Sequence, residues 1–225
     1  MQNSPTNHDS RVQNLAQMRA RMVDEQLRSR GIRDLRVLAA MDKVPREEFI
    51  SEEDVRDAYG DHPLPIGAGQ TVSQPYIVAA MVEALEVQPT DRVLEVGTGT
   101  GYQAAILAEL AADVWTIERH QDLASKAQEI LTRLGYANVR VVYGDGSLGL
   151  SEQAPFDKIL VAAAAPRIPQ SLVAQLVNGG RLVIPVGTRY EQQVHIVRKL
   201  GNETAVTTHD LCRFVPLVGA EGWEQ

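Results

Sequence analysis

Five short apolar segments alternate with helical segments between residues 92 and 187, and this alternation constrains the fold more than any other feature. The segments are RVLEV, DVWTIE, NVRVVY, FDKILVAAA and GGRLVIPVG, and helical patterns such as YQAAILAELAA separate most of them. Strands joined through helices run parallel, and the helices cover both faces of their sheet. We therefore predict an α/β fold with a doubly wound, mainly parallel, Rossmann-like sheet.

The segments on either side of this core have different patterns. Apolar residues recur at three- and four-residue steps from Val12 to Leu27, which predicts an amphipathic helix that ends at Gly31. Asp34 can cap a second short helix that stops at Pro45, and no strand pattern is visible in the first 75 residues. Three later segments, QQVHIVRKL, ETAVTTHD and CRFVPLVG, lack helices between them and predict an antiparallel C-terminal strand region.

The segment GAGQTVSQPYIV, residues 67–78, collects small and hydrogen-bonding residues just before a predicted helix. Taken alone, these residues fit helix capping, with Thr71 and Gln74 spaced as in a capping box. Pro75 suits the first turn of the helix. The segment leaves a second interpretation open, in which it contacts a ligand.

Composition limits the environment and the partners of the chain. The formal net charge of −7 disfavours attraction to nucleic acid phosphates, and a single cysteine, Cys212, excludes an intrachain disulfide and a zinc cluster built on thiolates. The N-terminal residues lack the apolar core of a signal peptide, and no apolar run approaches a membrane span. We expect a cytoplasmic monomer that binds no metal, nucleic acid or membrane.

Three glycines follow the first strand of the predicted core, in VLEVGTGTGYQAA. Glycine permits positive φ angles and lets a ligand approach the backbone, so Gly97, Gly99 and Gly101 are candidates for a cofactor-binding turn. Alone, the pattern also fits a simple tight turn. Its spacing differs from the G-x-G-x-x-G of dinucleotide-binding proteins.

Acidic residues follow the next two strands of the core. Glu118 ends the second strand, where a carboxylate can accept hydrogen bonds from both ribose hydroxyls of a nucleoside. Asp145 follows the third strand and can reach an adenine amino group, while Gly146 leaves room for the ring. Taken singly, Glu118 also fits a solvated strand end and Asp145 an Asp-Gly turn. Their order along successive strand ends favours a nucleoside site.

Glu95 lies inside the first core strand, where an unpaired carboxylate costs several kcal/mol. A negative charge beside the glycine turn would repel a phosphate and favour a cationic ligand. S-adenosylmethionine carries a sulfonium and an ammonium but no phosphate. Glu95 therefore favours S-adenosylmethionine over NAD as the cofactor.

The segment VLEVGTGTGYQAA resembles motif I of class I S-adenosylmethionine-dependent methyltransferases. More narrowly, the chain resembles the bacterial type of the protein-L-isoaspartate O-methyltransferase family, in family order from about Leu15 to Val218, through LPIGAGQTVSQPYIVAAM, VPREEF, YGDG, APFDKILVAAAAP and RFVPLV. The resemblance implies methyl transfer from S-adenosylmethionine to the free α-carboxylate of L-isoaspartyl residues in damaged proteins and peptides. The ester then closes to a succinimide, whose hydrolysis returns some normal aspartate.

The resemblance also implies roles for individual residues. The loop that contains Ser73 covers the cofactor and presents this serine, as the catalytic residue, to the substrate carboxylate, while the backbone near Val72 and Val215 holds the isoaspartyl group. A carboxylate is already ionised at neutral pH, so the reaction needs alignment and exclusion of water rather than a strong base. A neutral hydroxyl such as that of Ser73 can hold the carboxylate without the charge of an Arg, which would quench the nucleophilicity of the carboxylate.

Two positions depart from the family pattern. Where the family reads close to VTAAPPEIP or VTAAAPEIP, this chain has VAAAAPRIP, with Ala162 in place of a Thr and Arg167 in place of a Glu. This loop lies near the cofactor pocket in the family. The two changes therefore concern affinity or peptide preference rather than the reaction.

These observations predict one domain after a disordered leader at residues 1–10. Within the domain, residues 11–225, we expect a helical substrate-side extension at 11–75, a cofactor-binding core at 76–190 and C-terminal strands at 191–225.

Other functions remain open at this stage. A class I methyltransferase with a different small-molecule or macromolecular acceptor would keep Gly97, Glu118 and Asp145 but has no use for GQTVSQP and RFVPL. An oxidoreductase that uses a dinucleotide is disfavoured by Glu95 and by the glycine spacing. A binding module without turnover would keep the same motifs.

Overall fold

The computed structural model describes residues 7–224, with the side chains described from residue 13, and begins with helical segments. Residues 1–6 of the predicted leader lie outside the described residues, and α1 (Asn7–Arg21) begins within its last four positions. The helix continues through a π-helical turn and a 3₁₀ turn to Arg30. Gly31, with φ of 105°, ends it as predicted, because glycine adopts left-handed backbone at little cost.

The second predicted helix is confirmed as α2 (Leu35–Lys43). Its N-cap is Asp34, whose carboxylate accepts a hydrogen bond from the Arg36 N–H. Two 3₁₀ segments follow, at Arg46–Phe49 and Glu52–Asp57.

A two-stranded hairpin then corrects the expectation of no strand before residue 75. Strands β1 (Leu64–Gly67) and β2 (Gln70–Val72) pair antiparallel. Strands of four and three residues carry too little alternation to show in sequence. The capping box is also wrong, because Thr71 lies in β2 and Gln74 caps α3 (Pro75–Leu85) without a side-chain hydrogen bond. Pro75 occupies the first turn, as predicted.

The predicted α/β sheet is confirmed, with seven strands in the order β5-β4-β3-β6-β7-β8-β9. Strands β3 to β7 run parallel, and β8 and β9 add the expected antiparallel region. The strands are β3 (Arg92–Val96), β4 (Asp113–Glu118), β5 (Val139–Tyr143), β6 (Phe156–Val161), β7 (Leu176–Gly187), β8 (Gln192–Leu200) and β9 (Glu203–Cys212). The intervening helices are α4 (Tyr102–Ala108), α5 (Gln121–Arg133) and α6 (Gln170–Ala174).

Two apolar cores lie on opposite faces of the sheet. Val93 belongs to one core and its neighbour Leu94 to the other, because successive strand residues point to opposite faces. The first core includes α2, α3 and α4, and the second includes Leu172 of α6. Both faces are therefore covered, as a doubly wound sheet requires.

The segment CRFVPLVG does not form the predicted third C-terminal strand. Strand β9 ends at Cys212, and the chain beyond it makes only isolated bridges, Pro216 with Ala164 and Val218 with Trp223. A proline cannot donate a ladder hydrogen bond, which disfavours a regular strand here. The segment instead pairs with the loop that follows β6.

Strand order reverses between β3 and β6, so a crevice opens at their carboxyl ends, where open α/β sheets bind ligands. Within residues 7–224, no helix has the length and apolar character needed to cross a membrane.

Candidate active site

A cavity that is partly open to solvent lies at this crevice, and its empty space amounts to about 810 Å³ with the open solvent included. Its walls come from the glycine turn, the segment after β1, the ends of β3, β4 and β6, and the C-terminal segment. It brings together seven of the ten predicted site residues: Val72, Ser73, Gly97, Gly99, Glu118, Gly146 and Val215. The other three, Glu95, Gly101 and Asp145, lie outside its lining.

Glycine is required at two points of this cavity wall. Gly97, with φ of 96°, turns the chain after β3 beside Ala162. At Gly146 a Cβ atom would lie 2.5 Å from Val96 Cγ1, so no larger residue fits without a shift. The backbone is therefore bare where a ligand can approach closely.

Glu118 fixes the glycine turn from the neighbouring strand. Its Oε2 accepts a hydrogen bond from the Gly99 N–H at 2.9 Å, and its Oε1 accepts one from the His120 N–H at 2.9 Å. The side chain is buried yet lines the cavity. A carboxylate has about four acceptor positions, so this one can also accept hydrogen bonds from ligand hydroxyls.

Glu95 lies behind the turn rather than in the cavity. Its Oε2 accepts a hydrogen bond from the Thr116 hydroxyl at 2.5 Å, and Thr116 is 2.6 Å from the Thr98 hydroxyl of the turn. Among the described residues, its Oε1 has no hydrogen-bond partner. Complete burial, with a smaller contribution from the charge of Glu118, raises the pKa of Glu95 to about 8. Glu95 is therefore mainly protonated at neutral pH in the absence of a cation.

Asp145 holds the C-terminal segment instead of facing the main cavity. Its Oδ1 accepts hydrogen bonds from the Ser147 N–H and hydroxyl at 2.9 and 2.7 Å, and its Oδ2 accepts one from the Ala220 N–H at 2.8 Å. Burial opposes ionisation, but these hydrogen bonds lower the pKa of Asp145 below its ordinary value. It lines a neighbouring cavity that also includes Arg119 and Trp223.

Gly101 serves helix packing. It is the N-cap of α4, with φ of 89°, and a Cβ atom there would lie 3.1 Å from Leu131 Cδ1 of α5. This glycine thus lets α4 approach α5, which orients the glycine turn.

A second cavity adjoins the main one, and both are lined by Thr71, Ser73, Ala162 and Val215. Its far side includes Arg30, Asp210 and Phe214. Ala162, one of the two departures from the family pattern, therefore lies at the junction of the cavities, whereas Arg167 lines neither cavity.

Sequence reasoning missed several cavity residues. Arg119 lines both the main cavity and the cavity beside Asp145, and its position directly after the strand-end Glu118 was an available signal. Residues 216–218 also line the main cavity, although the pattern of CRFVPLVG predicts a strand there. His209 Nδ1 lies 3.4 Å from Asp210 Oδ2, and both side chains are exposed. Across the described part of the chain, no group of three or more His, Cys, Asp or Glu residues is placed to hold a metal ion.

The donor set fits S-adenosylmethionine. A glycine turn with bare backbone and a buried strand-end carboxylate at Glu118 suit a nucleoside, whereas Glu95, protonated and behind the turn, does not supply the negative charge beside the ligand that its position in the strand predicts. Together with the doubly wound sheet, this site defines a class I S-adenosylmethionine-dependent methyltransferase.

The chain belongs to the protein-L-isoaspartate O-methyltransferase family. The family model described as Protein-L-isoaspartate(D-aspartate) O-methyltransferase (PCMT) matches residues 17–222. A protein-L-isoaspartate O-methyltransferase of Koribacter versatilis is 60% identical over 205 residues, which cover 91% of this chain and 92% of the relative. Protein-L-isoaspartate O-methyltransferase 1 of Syntrophobacter fumaroxidans is 53% identical over 94% of this chain and 99% of its own length.

Solved structures agree with the family assignment. A protein-L-isoaspartate O-methyltransferase superposes with a TM-score of 0.82 at 28% identity, over 91% of this chain and 67% of the other. A putative protein-L-isoaspartate O-methyltransferase from Plasmodium falciparum, solved in complex with S-adenosyl-L-homocysteine, superposes with a TM-score of 0.77 at 27% identity, over 89% of this chain and 98% of the other.

Proposed function

We propose that this chain transfers a methyl group from S-adenosylmethionine to the free α-carboxylate of L-isoaspartyl residues in damaged proteins and peptides, as a step of protein repair. The observation that carries the proposal is the wall shared by the two cavities, which contains Ser73 and Val215. On one side of this wall is the main cavity with the glycine turn, and on the other is the second cavity, which includes Arg30 and Phe214. A methyl acceptor in the second cavity therefore lies next to a cofactor in the main cavity.

The cofactor side is formed by the ends of three strands. When bound, S-adenosylmethionine supplies an electrophilic methyl group on its sulfonium. Gly97, Gly99 and Gly146 leave space for the ligand, and Glu118 accepts hydrogen bonds from its ribose hydroxyls. Glu95 acts from behind the turn through Thr116 and Thr98. Gly101 and Asp145 hold helix α4 and the C-terminal segment in place.

On the substrate side, Ser73 donates its hydroxyl proton in a hydrogen bond to the acceptor carboxylate. The backbone near Val72 and Val215 holds the isoaspartyl group from opposite sides. The acceptor is ionised at neutral pH, so no side chain has to remove a proton. What the chain contributes is orientation and exclusion of water, which together account for up to roughly 7–11 kcal/mol of barrier in well-aligned reactions.

The remaining assignments follow from the same site. Residues 11–75 form the substrate-side extension, 76–190 the cofactor-binding core and 191–225 the C-terminal strands and segment. We place the protein in the cytoplasm as a monomer that acts on isoaspartyl proteins and peptides and binds neither nucleic acid nor membrane. The net charge of −7 supports the last point, because phosphates are repelled.

The test is transfer of radiolabelled methyl groups to a matched peptide pair, one with L-isoaspartate and one with L-aspartate at the same position. We expect label that is released by mild base on the isoaspartyl peptide alone. Equal labelling of both peptides, or labelling of neither while S-adenosylhomocysteine still binds, would refute the acceptor and direct the search to other methyl acceptors.

A further inference from the structure

Arg46 is a buried cation with unusual surroundings. Its side chain is 0% exposed, its Nε donates to the Ala58 carbonyl at 2.8 Å, and its Nη2 donates to the Ser73 carbonyl at 2.8 Å. The guanidinium carbon lies 4.7 Å from the ring centroid of Tyr102, a cation–π distance. One side chain therefore joins the N-terminal extension, the loop that carries Ser73 and the first residue of α4.

No anion compensates this charge within the part of the chain that the structure describes. Arg46 makes no ion pair there, and its Nη1 has no hydrogen-bond partner. The adjacent Glu47 is engaged elsewhere, with Arg19 and the Tyr59 hydroxyl. Burying an unpaired charge is strongly unfavourable, and an apolar side chain would fill the same space at a lower cost in folding free energy. Packing alone therefore does not explain an arginine at this position.

The position of the Arg46 guanidinium beside Ser73 indicates a role in the proposed reaction. Ser73 lines both cavities, and Arg46, which lines neither, contacts the backbone carbonyl of this residue. The acceptor in the proposed reaction is a carboxylate. The Arg46 guanidinium bonds the backbone of Ser73 rather than the acceptor. It attracts the acceptor carboxylate through the protein interior, where the dielectric constant is low, without touching it. Ser73 remains the direct, neutral contact.

We propose that Arg46 is a positioning residue for methyl transfer, which fixes the Ser73 loop through its two carbonyl contacts and supplies the positive charge that favours an anionic acceptor. This inference rests on the proposed function for its acceptor. Arginine is specified over lysine because a planar guanidinium can donate to two carbonyls and stack on a ring at once.

Two variants separate the two roles. Arg46→Lys keeps the charge but cannot bridge both carbonyls, and Arg46→Met keeps an apolar stem without charge. Arg56→Met, at an exposed position of the same extension, is the matched control. Each protein is tested with an L-isoaspartyl peptide and with the same peptide carrying a neutral carboxamide in place of the α-carboxylate. Affinities are measured by calorimetry with S-adenosylhomocysteine bound.

We expect the wild-type protein and the Arg56→Met control to prefer the acid over the amide by roughly tenfold or more. Arg46→Met should reduce this ratio to nearly one, while the affinity for S-adenosylhomocysteine stays within about twofold of wild type. Arg46→Lys should retain most of the preference. An unchanged ratio in Arg46→Met overturns the electrostatic role.

Hydrogen exchange of residues 70–75 tests the hold on the loop independently of any substrate. Both Arg46 variants should show faster exchange there, and Arg56→Met should not. Wild-type exchange rates in both variants overturn the proposal. If the Arg46→Met protein does not fold, hydrogen exchange of residues 70–75 in Arg46→Lys tests the proposal. If the wild-type protein binds the acid and the amide equally well, that result contradicts the proposed acceptor. Hydrogen exchange still tests the positioning role of Arg46 in that case.

Discussion

Asp145 and Ala220 are joined by a hydrogen bond of 2.8 Å from the Ala220 N–H to Asp145 Oδ2, which ties the C-terminal segment across the carboxyl edge of the sheet. The next residue, Glu221, donates its N–H to the Ser147 hydroxyl oxygen at 3.0 Å. Leu217 and Val218, in the same segment, line the main cavity. Asp145, the acidic residue after β5, thus shapes the main cavity by holding one of its walls.

Asp145→Ala should weaken the binding of S-adenosylhomocysteine, because the C-terminal wall of the main cavity is then held less firmly. Loss of a charge-assisted hydrogen bond costs roughly 1.5–3 kcal/mol of the free energy that holds the C-terminal segment, which predicts faster hydrogen exchange in residues 217–223 and a lower affinity for S-adenosylhomocysteine. Calorimetry with an S-adenosylhomocysteine analogue that lacks the adenine amino group separates this mechanism from direct contact. An indirect role weakens both ligands equally. A loss confined to the ligand that retains the amino group would instead show that Asp145 contacts adenine.

Glu118→Ala should reduce the affinity for S-adenosylhomocysteine by roughly 1.5–3 kcal/mol, because a buried carboxylate that accepts hydrogen bonds is removed. The Gly99 N–H also loses its acceptor, so the glycine turn should exchange hydrogen faster. Glu129→Ala, at an exposed position of α5, is the control. Calorimetric affinity equal to that of the control would refute the assignment of Glu118.

Ser73→Ala should lower kcat/KM for an isoaspartyl peptide by about 10- to 100-fold, the effect of losing one hydrogen bond to a charged group. The affinity for S-adenosylhomocysteine should stay within about twofold, since the cofactor side of the wall is intact. Ser125→Ala, exposed on α5, is the matched control. Steady-state kinetics that match the control would leave Ser73 without a catalytic role.

Glu95→Gln should change the pH dependence of stability. The pKa of Glu95 in the folded chain, about 8, lies above its ordinary value of 4.5, so the folded chain binds this proton more tightly than the unfolded chain. The stability from the protonated group is complete below pH 4.5 and is lost progressively as pH rises to about 8. Glutamine cannot ionise and avoids this loss.

Chemical denaturation of both proteins between pH 5 and pH 9 measures the effect. The free energy of unfolding of Glu95→Gln relative to wild type should rise by roughly 2–4 kcal/mol across this range, with Glu129→Gln as the control. A difference that does not vary with pH would show that Glu95 is ionised throughout.

The parallel core could be predicted from sequence because its signals are local. Apolar segments such as RVLEV are bounded by glycine, and Gly31 and Asp34 mark helix ends through their own backbone preferences. The hairpin β1–β2 could not be predicted, because its short strands are stabilised by pairing with each other rather than by their own pattern.

Which residues belong to the candidate site could be predicted from the sequence better than the contacts that these residues make. Residues at strand ends, such as Gly97 and Glu118, are brought together by the topology of any parallel sheet. Ala220, one partner of Asp145, is separated from it by 75 positions along the chain, so no local pattern shows this contact. The burial of Arg46 could not be predicted for a similar reason. A charged side chain is normally exposed, and its two carbonyl partners, Ala58 and Ser73, come from two separate loops.

The most direct test of the account follows the fate of the isoaspartyl peptide itself. The peptide is incubated with the protein and S-adenosylmethionine for many turnovers, and its isomers are separated by chromatography. We predict that the succinimide and then the normal aspartyl peptide accumulate, and that neither forms faster than the spontaneous rate when the cofactor or the protein is omitted. An isoaspartyl peptide that stays unchanged, in a protein that binds S-adenosylhomocysteine, would contradict the assignment of repair.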